Sequence, residues 1–192
     1  MIRLENVEKK YKDFSLNCSL EVRPGRITGV VGENGAGKST TFKAILGLIK
    51  VDSGSVEIFS KPVDCLTPAD KEELGVVLAD SGFSGYITVK DLLPVLSSFY
   101  KKFDKEAFVQ NCNKYKIPLD KKIKEFSTGM KTKLKILVAL SHEAKLLILD
   151  EPTSSLNETD SKALLDLLLR FKSEGMTCII ITHKLNEVSY VA

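Results

Sequence analysis

The chain has 192 residues, 43% of them hydrophobic and 28% charged, which is enough apolar material for a buried core and the balance of a soluble globular domain. With 28 Lys and Arg against 25 Asp and Glu, the formal charge is +3, too small to point to a nucleic-acid surface or an acidic partner. Runs such as Leu146 to Leu149 and Cys178 to Ile181 fall far short of the roughly 18 apolar residues that cross a bilayer. The stretch Met1 to Glu8 carries early acidic residues where a secretory signal would carry an apolar core, so the expectation is a cytosolic chain. Cys18, Cys65, Cys112 and Cys178 have neither ligand spacing nor disulfide spacing and read as reduced, small apolar residues.

In chain order, residues 2–7 and 14–22 alternate apolar and polar as half-buried strands do, and Arg23-Pro24-Gly25 closes the second with a turn. Residues 27–31 form a short β-rich run that stops at a glycine loop, after which helical spacing continues to about residue 49. Val56 to Phe59 reads as a short strand and Leu74 to Leu78 as a buried one. From about 88 to 144 the period becomes helical, with Leu92, Leu93, Leu96 and Phe99 and then Phe103, Phe108 and Cys112, as in a helical insertion. Two fully apolar runs, 146–149 and 178–181, flank an amphipathic helix over 162–172. Strand, helix, strand in that order implies a right-handed crossover and an α/β fold built on a mostly parallel sheet.

The first chemical motif is Gly32-Glu33-Asn34-Gly35-Ala36-Gly37-Lys38-Ser39-Thr40, which fits G-x-x-x-x-G-K-[ST] between a strand and a helix. A glycine-rich backbone lets successive N–H groups curl around phosphates, and the helix N-terminus adds partial positive charge. Lys38 reaches the β/γ-phosphates and the Ser39 hydroxyl is a ligand for Mg²⁺. An ordinary βα turn would explain the glycines but neither Lys38 nor Ser39. The second motif is Lys145 to Glu151, an apolar strand ending in two carboxylates. Neighbouring strand residues point to opposite faces, so Asp150 and Glu151 take different tasks: Asp150 holds Mg²⁺ through water and Glu151 polarises the attacking water. Without the glycine loop, the same pair before Pro152 would read as a solvated acidic turn.

Adding Phe126-Ser127-Thr128-Gly129-Met130 ahead of the helix that leads into this second strand, the whole chain resembles the nucleotide-binding domain of ABC transporters. The ordered motifs are Tyr11, the P-loop, Ser127 to Met130 at the place of the LSGGQ signature, Asp150-Glu151, Ser154-Ser155-Leu156-Asn157 at the place of the D-loop, and His183 after the last strand. The resemblance implies a P-loop NTPase core with N-terminal antiparallel strands, a single domain over 1–192, and a helical subdomain at 88–144. It implies that Tyr11 stacks on adenine and that Gly32, Asn34, Gly35, Ala36, Gly37, Lys38, Ser39 and Thr40 hold the phosphates of ATP. It further implies that His183 contacts the γ-phosphate and positions water with Glu151. Ser127 and Gly129 would complete the site of a second ATPase domain in a head-to-tail dimer, and a transmembrane permease would bind the helical subdomain at the cytoplasmic face of the membrane. Met130 followed by Lys131-Thr132-Lys133-Leu134 resembles the exporter branch that includes ABC-2-type systems. Taken as bare residues, Tyr11 is a surface aromatic, Ser127 an N-cap and His183 a strand-end histidine.

Three places depart from the family pattern. The glutamine expected at the end of the strand entering the helical subdomain falls on Ala79, with Asp80 one residue on as an oxygen donor for Mg²⁺ or a plain turn residue. Asn157 replaces the D-loop aspartate, and only nine residues follow His183, so apolar surface is expected to be exposed or used in self-association. Two rival readings are a soluble ABC-type ATPase of DNA repair or translation and a regulatory module that binds ATP with little turnover. Against the first stand the lack of a heptad insertion, a zinc spacing and a second P-loop; against the second stand Glu151 and His183.

Overall fold

The computed structural model describes residues 1–78 and 82–191. Ile2–Lys10 (β1), Ser15–Val22 (β2), Ser53–Ile58 (β4) and Lys61–Pro62 (β5) form an antiparallel sheet in the order β2-β1-β4-β5. Ile27–Val31 (β3), Leu74–Val77 (β6), Leu146–Asp150 (β7) and Thr177–Thr182 (β8) form a parallel sheet in the order β3-β8-β7-β6. Lys38–Ile45 (α1), Pro68–Glu72 (α2), Val89–Phe99 (α3), Lys105–Lys114 (α4), Thr128–Leu140 (α5), Glu158–Ser173 (α6) and Leu185–Val191 (α7) complete the chain.

Alternation along the central strands divides the core into two faces. Leu146, Ile148, Ile179 and Ile181 point to one side, where Phe42 and Ile45 of α1 join Ile2, Leu4, Val56 and Ile58 of the antiparallel sheet. Leu147, Leu149, Cys178 and Ile180 point to the other, against Ile136 and Ala139 of α5 and Leu164, Leu165, Leu167 and Leu168 of α6. Every residue of β8 is buried, which explains why its sequence is uninterrupted by polar positions apart from its terminal threonines. A third apolar cluster joins α3, α4 and α5 through Val89, Leu92, Leu96, Phe108, Cys112, Leu134 and Leu137. Its helices start where side chains cap them: Thr88 and Asp91 form a reciprocal box at α3, and Asp104 accepts the Ala107 N–H at α4.

Several sequence expectations need correction. Helical spacing suggested that α1 runs to about residue 49, yet it stops at Ile45 because Gly47 (φ 65°) adopts the left-handed conformation that ends helices. The short β5 and α2 carry no apolar period and were not legible, although Thr67 and Asp70 form a capping box at α2. All four cysteines are free, but Cys65 lies exposed in the turn after β5 and is not a core residue. Burial pushes the Cys112 thiol up to about 12. At the chain's end, α7 packs on β3 so closely that a Cβ on Gly29 would sit 2.1 Å from Val188, while Val31, Leu185 and Tyr190 remain exposed. No helix among the described residues is long and apolar enough to cross a membrane.

His142 is a polar tie that sequence reading passed over. It is buried, stacks on Tyr100 at 4.0 Å, and its Nδ1 lies 2.6 Å from the Glu72 carbonyl, joining the end of α5 to the approach of β6. Since a carbonyl only accepts, Nδ1 carries the proton. Burial holds the ring's pKa below the ordinary 6.5, so the folded chain binds fewer protons than the unfolded chain as pH falls through that value. Stability is therefore lost on acidification through about 6.5, above the range in which the carboxylates of Asp52, Asp70 and Asp91, all held below their usual value by hydrogen bonds, begin to titrate. Urea midpoints from pH 7.5 to 5.5 should fall for the wild type and fall less steeply for His142→Phe, which keeps the stack and removes the titration; equal slopes would show that His142 does not carry the dependence.

Candidate functional site

Between the end of β3 at Val31 and the start of α1 at Lys38, the chain turns back over itself using Gly35 (φ 86°) and Gly37 (φ 92°), both in the left-handed region that favours glycine. Gly37 is needed twice, because a Cβ there would also stand 2.8 Å from Leu16 and from the Phe14 ring. It is the N-cap of α1 and offers no side chain to cap the helix, so the first-turn N–H groups keep their capacity for an anion. The Lys38 ammonium donates to the carbonyls of Gly32 (2.7 Å) and Glu33 (2.9 Å), folding over the loop that it would share with phosphate.

A cleft of about 660 Å³ opens over this loop, lined by Asp13, Phe14, Asn34, Gly35, Gly37, Lys38, Ser39, Thr40, Glu151, Ser154 and His183. Thus most of the P-loop positions expected from sequence, together with Glu151 and His183, come to one place. Gly32 and Ala36 complete the loop beside it, with a Cβ on Gly32 falling 3.2 Å from Ala36. Tyr11 is 47% exposed, and its N–H closes a turn onto the Phe14 carbonyl at 2.7 Å. Its ring lies 6.3 Å from that of Phe14 and 5.9 Å from the Lys9 ammonium. The aromatic that borders the cleft itself is Phe14, which sequence reading missed; its signal was an apolar residue in the polar turn before β2.

Asp150 closes β7 opposite Ile181 of β8. Simple strand alternation does not continue to Glu151, as the sequence had suggested: Glu151 has φ 46°, and its N–H donates across to the Ile181 carbonyl at 2.8 Å. That left-handed turn aims its side chain at the neighbouring strand's end, where Oε2 lies 2.9 Å from His183 Nδ1. A carboxylate accepts only, so Nδ1–H donates; Nε2 is then an acceptor in the neutral ring and a donor in the imidazolium. A second cavity of about 310 Å³, on the side of the helical segment, is lined by both Asp150 and Glu151 and by Thr128, Lys131 and Lys135 of α5. Ala79 and Asp80 lie outside the described residues.

Ser127 caps α5, its Oγ accepting the Met130 N–H at 3.2 Å, and is exposed. Gly129 is buried by this chain's own α6: a Cβ would sit 2.6–2.8 Å from the Asp160 carboxyl group. Neither residue is among those lining the P-loop cleft. Asn157 caps α6, accepting from the Asp160 N–H at 2.8 Å and donating to the Asp160 carboxylate at 3.1 Å. An aspartate there could cap in the same way but could not donate, so the amide has a local role of its own.

Ser39 and Asp150 offer a hydroxyl and a carboxylate oxygen, hard donors that suit Mg²⁺. Among the described residues no three Asp, Glu, His or Cys side chains gather as a metal cage. With the Ser39 hydroxyl as the direct protein donor and Asp150 acting through water, the ion would take its remaining oxygens from water and from phosphate.

Comparison with known proteins agrees with this architecture. The family profile for ABC transporters matches residues 16–154. The chain is 31% identical over 196 residues to the lantibiotic transport ATP-binding protein SrtF of Streptococcus pyogenes, covering 100% of this chain and 84% of SrtF. It is 32% identical over 193 residues to the ABC transporter ATP-binding protein YdbJ of Bacillus subtilis, spanning 98% of this chain and 63% of YdbJ. Among solved structures, CbiO1 of Clostridium perfringens, described as part of the complex cbiONQ, superposes with a TM-score of 0.82 at 27% identity over 99% of this chain and 81% of its own. The dimeric structure of a bacterial ABC transporter cassette has the same fold, with a TM-score of 0.83 at 22% identity over 100% of this chain and 91% of that one. A phosphate loop, a strand-end carboxylate pair and a histidine on adjacent parallel strands therefore belong to a member of the ABC transporter family, the ATP-binding subunit of a transporter that hydrolyses ATP with Mg²⁺.

Proposed function

We propose that two copies of this chain, or one copy and a related subunit, close head to tail on ATP, and that this closure drives a transmembrane permease from the cytoplasmic face of the membrane. In this reading the P-loop and Lys38 of one chain hold the triphosphate, Ser39 and Asp150 hold Mg²⁺, and Tyr11 stacks on the adenine. Glu151 orients and deprotonates the attacking water while His183 contacts the γ-phosphate side of the site. Ser127 and the backbone at Gly129 from the second chain would reach that γ-phosphate, and the helices of residues 88–144 would receive the permease. The run Met130-Lys131-Thr132-Lys133-Leu134 at the signature is the feature that favours an exporter.

The observation that carries the reading is the separation of Ser127 from its own cleft. An exposed hydroxyl at a helix N-terminus is an anion site with no phosphate loop facing it in the same chain. A second P-loop laid against it satisfies both surfaces. Closure brings a triphosphate up to the N-terminus of α5, where the helix dipole favours negative charge.

Lys38→Ala should lower Mg-ATP affinity by about 100-fold, or about 2.7 kcal/mol, because two charge-assisted contacts to phosphate are lost. Calorimetric titration of the folded variant measures this, and unchanged affinity would refute the P-loop assignment. Tyr11→Ala should weaken ATP and GTP alike by roughly tenfold, since stacking contributes about 1–3 kcal/mol per base without reading its edge. Loss confined to ATP, or no loss, would remove Tyr11 from the site.

Glu151→Gln keeps an amide that can orient water but accepts no proton, and it removes one negative charge from beside the triphosphate. With ATP this variant should elute as a dimer by light scattering, and without ATP as a monomer. Adding Ser127→Arg should return it to monomer, the cation both blocking and opposing the helix dipole. A folded Glu151→Gln chain that binds ATP and stays monomeric would contradict the head-to-tail arrangement.

A further inference from the structure

Beside the Glu151–His183 pair lies a buried polar cluster that no part of the proposed chemistry uses. Thr153 is 0% exposed and Glu187, in the first turn of α7, is 7% exposed. The Thr153 hydroxyl donates to Glu187 Oε2. Lys184 Nζ lies 3.2 Å from Glu187 Oε1 and donates to the Thr153 carbonyl at 3.0 Å. That carbonyl also accepts the Leu156 N–H at 3.1 Å, and the Lys184 N–H donates to Thr182 Oγ1 at 3.1 Å. A place in the first turn of a helix would account for a surface glutamate. It does not account for one taken out of water, which requires a partner for each oxygen.

The position of this cluster in the chain gives it a consequence. Thr153 is two residues after Glu151, in the turn closed by the Ser154 N–H on the Glu151 carbonyl at 3.1 Å. Lys184 is the residue after His183. The two loops that present the pair are therefore fastened to each other one residue behind His183 and two behind Glu151. The backbone of both loops is tied to β8, Glu151 N–H to the Ile181 carbonyl and Lys184 N–H to Thr182 Oγ1, and the cluster adds side-chain ties from one loop to the other. We infer that Thr153, Lys184 and Glu187 are positioning residues for hydrolysis, a clamp of two buried residues and one half-buried cation that sets the 2.9 Å approach of His183 to Glu151. The inference rests on reading that pair as the one that handles the attacking water. It adds that α7, which packs on β3 through Val188 and Gly29, forms part of the catalytic support.

The test uses the full chain with Mg-ATP. Thr153→Val removes the hydroxyl at nearly constant volume and should lower kcat about tenfold with KM for ATP unchanged, because a displaced water-handling pair costs rate and leaves the phosphate loop intact. Thr153→Ser, which restores the hydroxyl, should recover most of the rate. The chain has two histidines, so the ring-nitrogen spectrum of ¹⁵N-histidine protein separates the roles. In Thr153→Val the His183 Nδ1 resonance should shift toward that of a free imidazole, while His142, held on the Glu72 carbonyl, stays in place and reports that the fold is intact. Should Thr153→Val not fold, Lys184→Met leaves the Thr153–Glu187 contact and removes its cation, and must show the same fall in kcat and the same His183 shift. A folded variant with wild-type kcat and an unmoved His183 resonance overturns the clamp, as does a rate lost in step with the His142 signal, which would mark general unfolding. Glu151→Gln distinguishes the two levels of the account. If it still hydrolyses ATP, the reading of the pair fails; if it is inactive while Thr153→Val is normal, only the clamp fails.

Discussion

The register of three parallel strands governs the chemistry of this chain. β3 lies against β8 with Val31 opposite Thr182, and β7 lies against β8 with Asp150 opposite Ile181. The three strands thus end within a residue of one another, and the loops that leave them carry the phosphate loop, His183 and Glu151. A parallel sheet places all its carboxyl ends on one edge, which is where α/β proteins bind their ligands. A slip of one residue in β7 would exchange Leu147 and Leu149 for Leu146 and Ile148 on the α5–α6 face. It would also carry the carboxylates away from His183. Packing and chemistry therefore depend on the same alignment, and the buried faces of β7 and β8 fix it.

Charge is the second constraint. The site gathers Lys38, Asp150, Glu151 and His183 at one sheet edge, and contacts within the chain hold Lys38, Glu151 and His183 in place. Lys38 is held by loop carbonyls, Glu151 by His183, and the turns behind them by Thr153, Lys184 and Glu187. Such preorganisation matters most for phosphoryl transfer, where protein groups contribute chiefly by position and electrostatics. The signature end of α5 is the exception: it is capped and presented outward, away from its own P-loop.

The central strands, the phosphate loop and the carboxylate pair were legible because each has a strong local signal: an unbroken apolar run, a fixed glycine spacing, a strand end. The second sheet's β5 and the short α2 were not, since a two-residue strand has no period and α2 is defined by its Thr67–Asp70 cap more than by apolar spacing. The left-handed Glu151 was hidden because glutamate gives no warning of positive φ, and its turn is stabilised from β8, some 30 residues later. Phe14, His142 and the Thr153–Glu187 contact share that reason. Each is a polar or aromatic residue whose partner is brought by the fold, from across a loop or from elements far apart in the chain.

The head-to-tail composite site is the claim on which the functional account turns, and mixing two inactive variants tests it most directly. Lys38→Ala spoils the P-loop half and Ser127→Arg the signature half; a mixed dimer then holds one site with both halves intact and one with both spoiled. If the sites act independently, an equal mixture should recover between about a quarter and about a half of wild-type ATP hydrolysis, the lower figure for random pairing and the higher where the obstructed Ser127→Arg homodimers do not form, and neither variant alone has any. A mixture as inactive as its components, with each variant shown to fold, would contradict a site built from two chains.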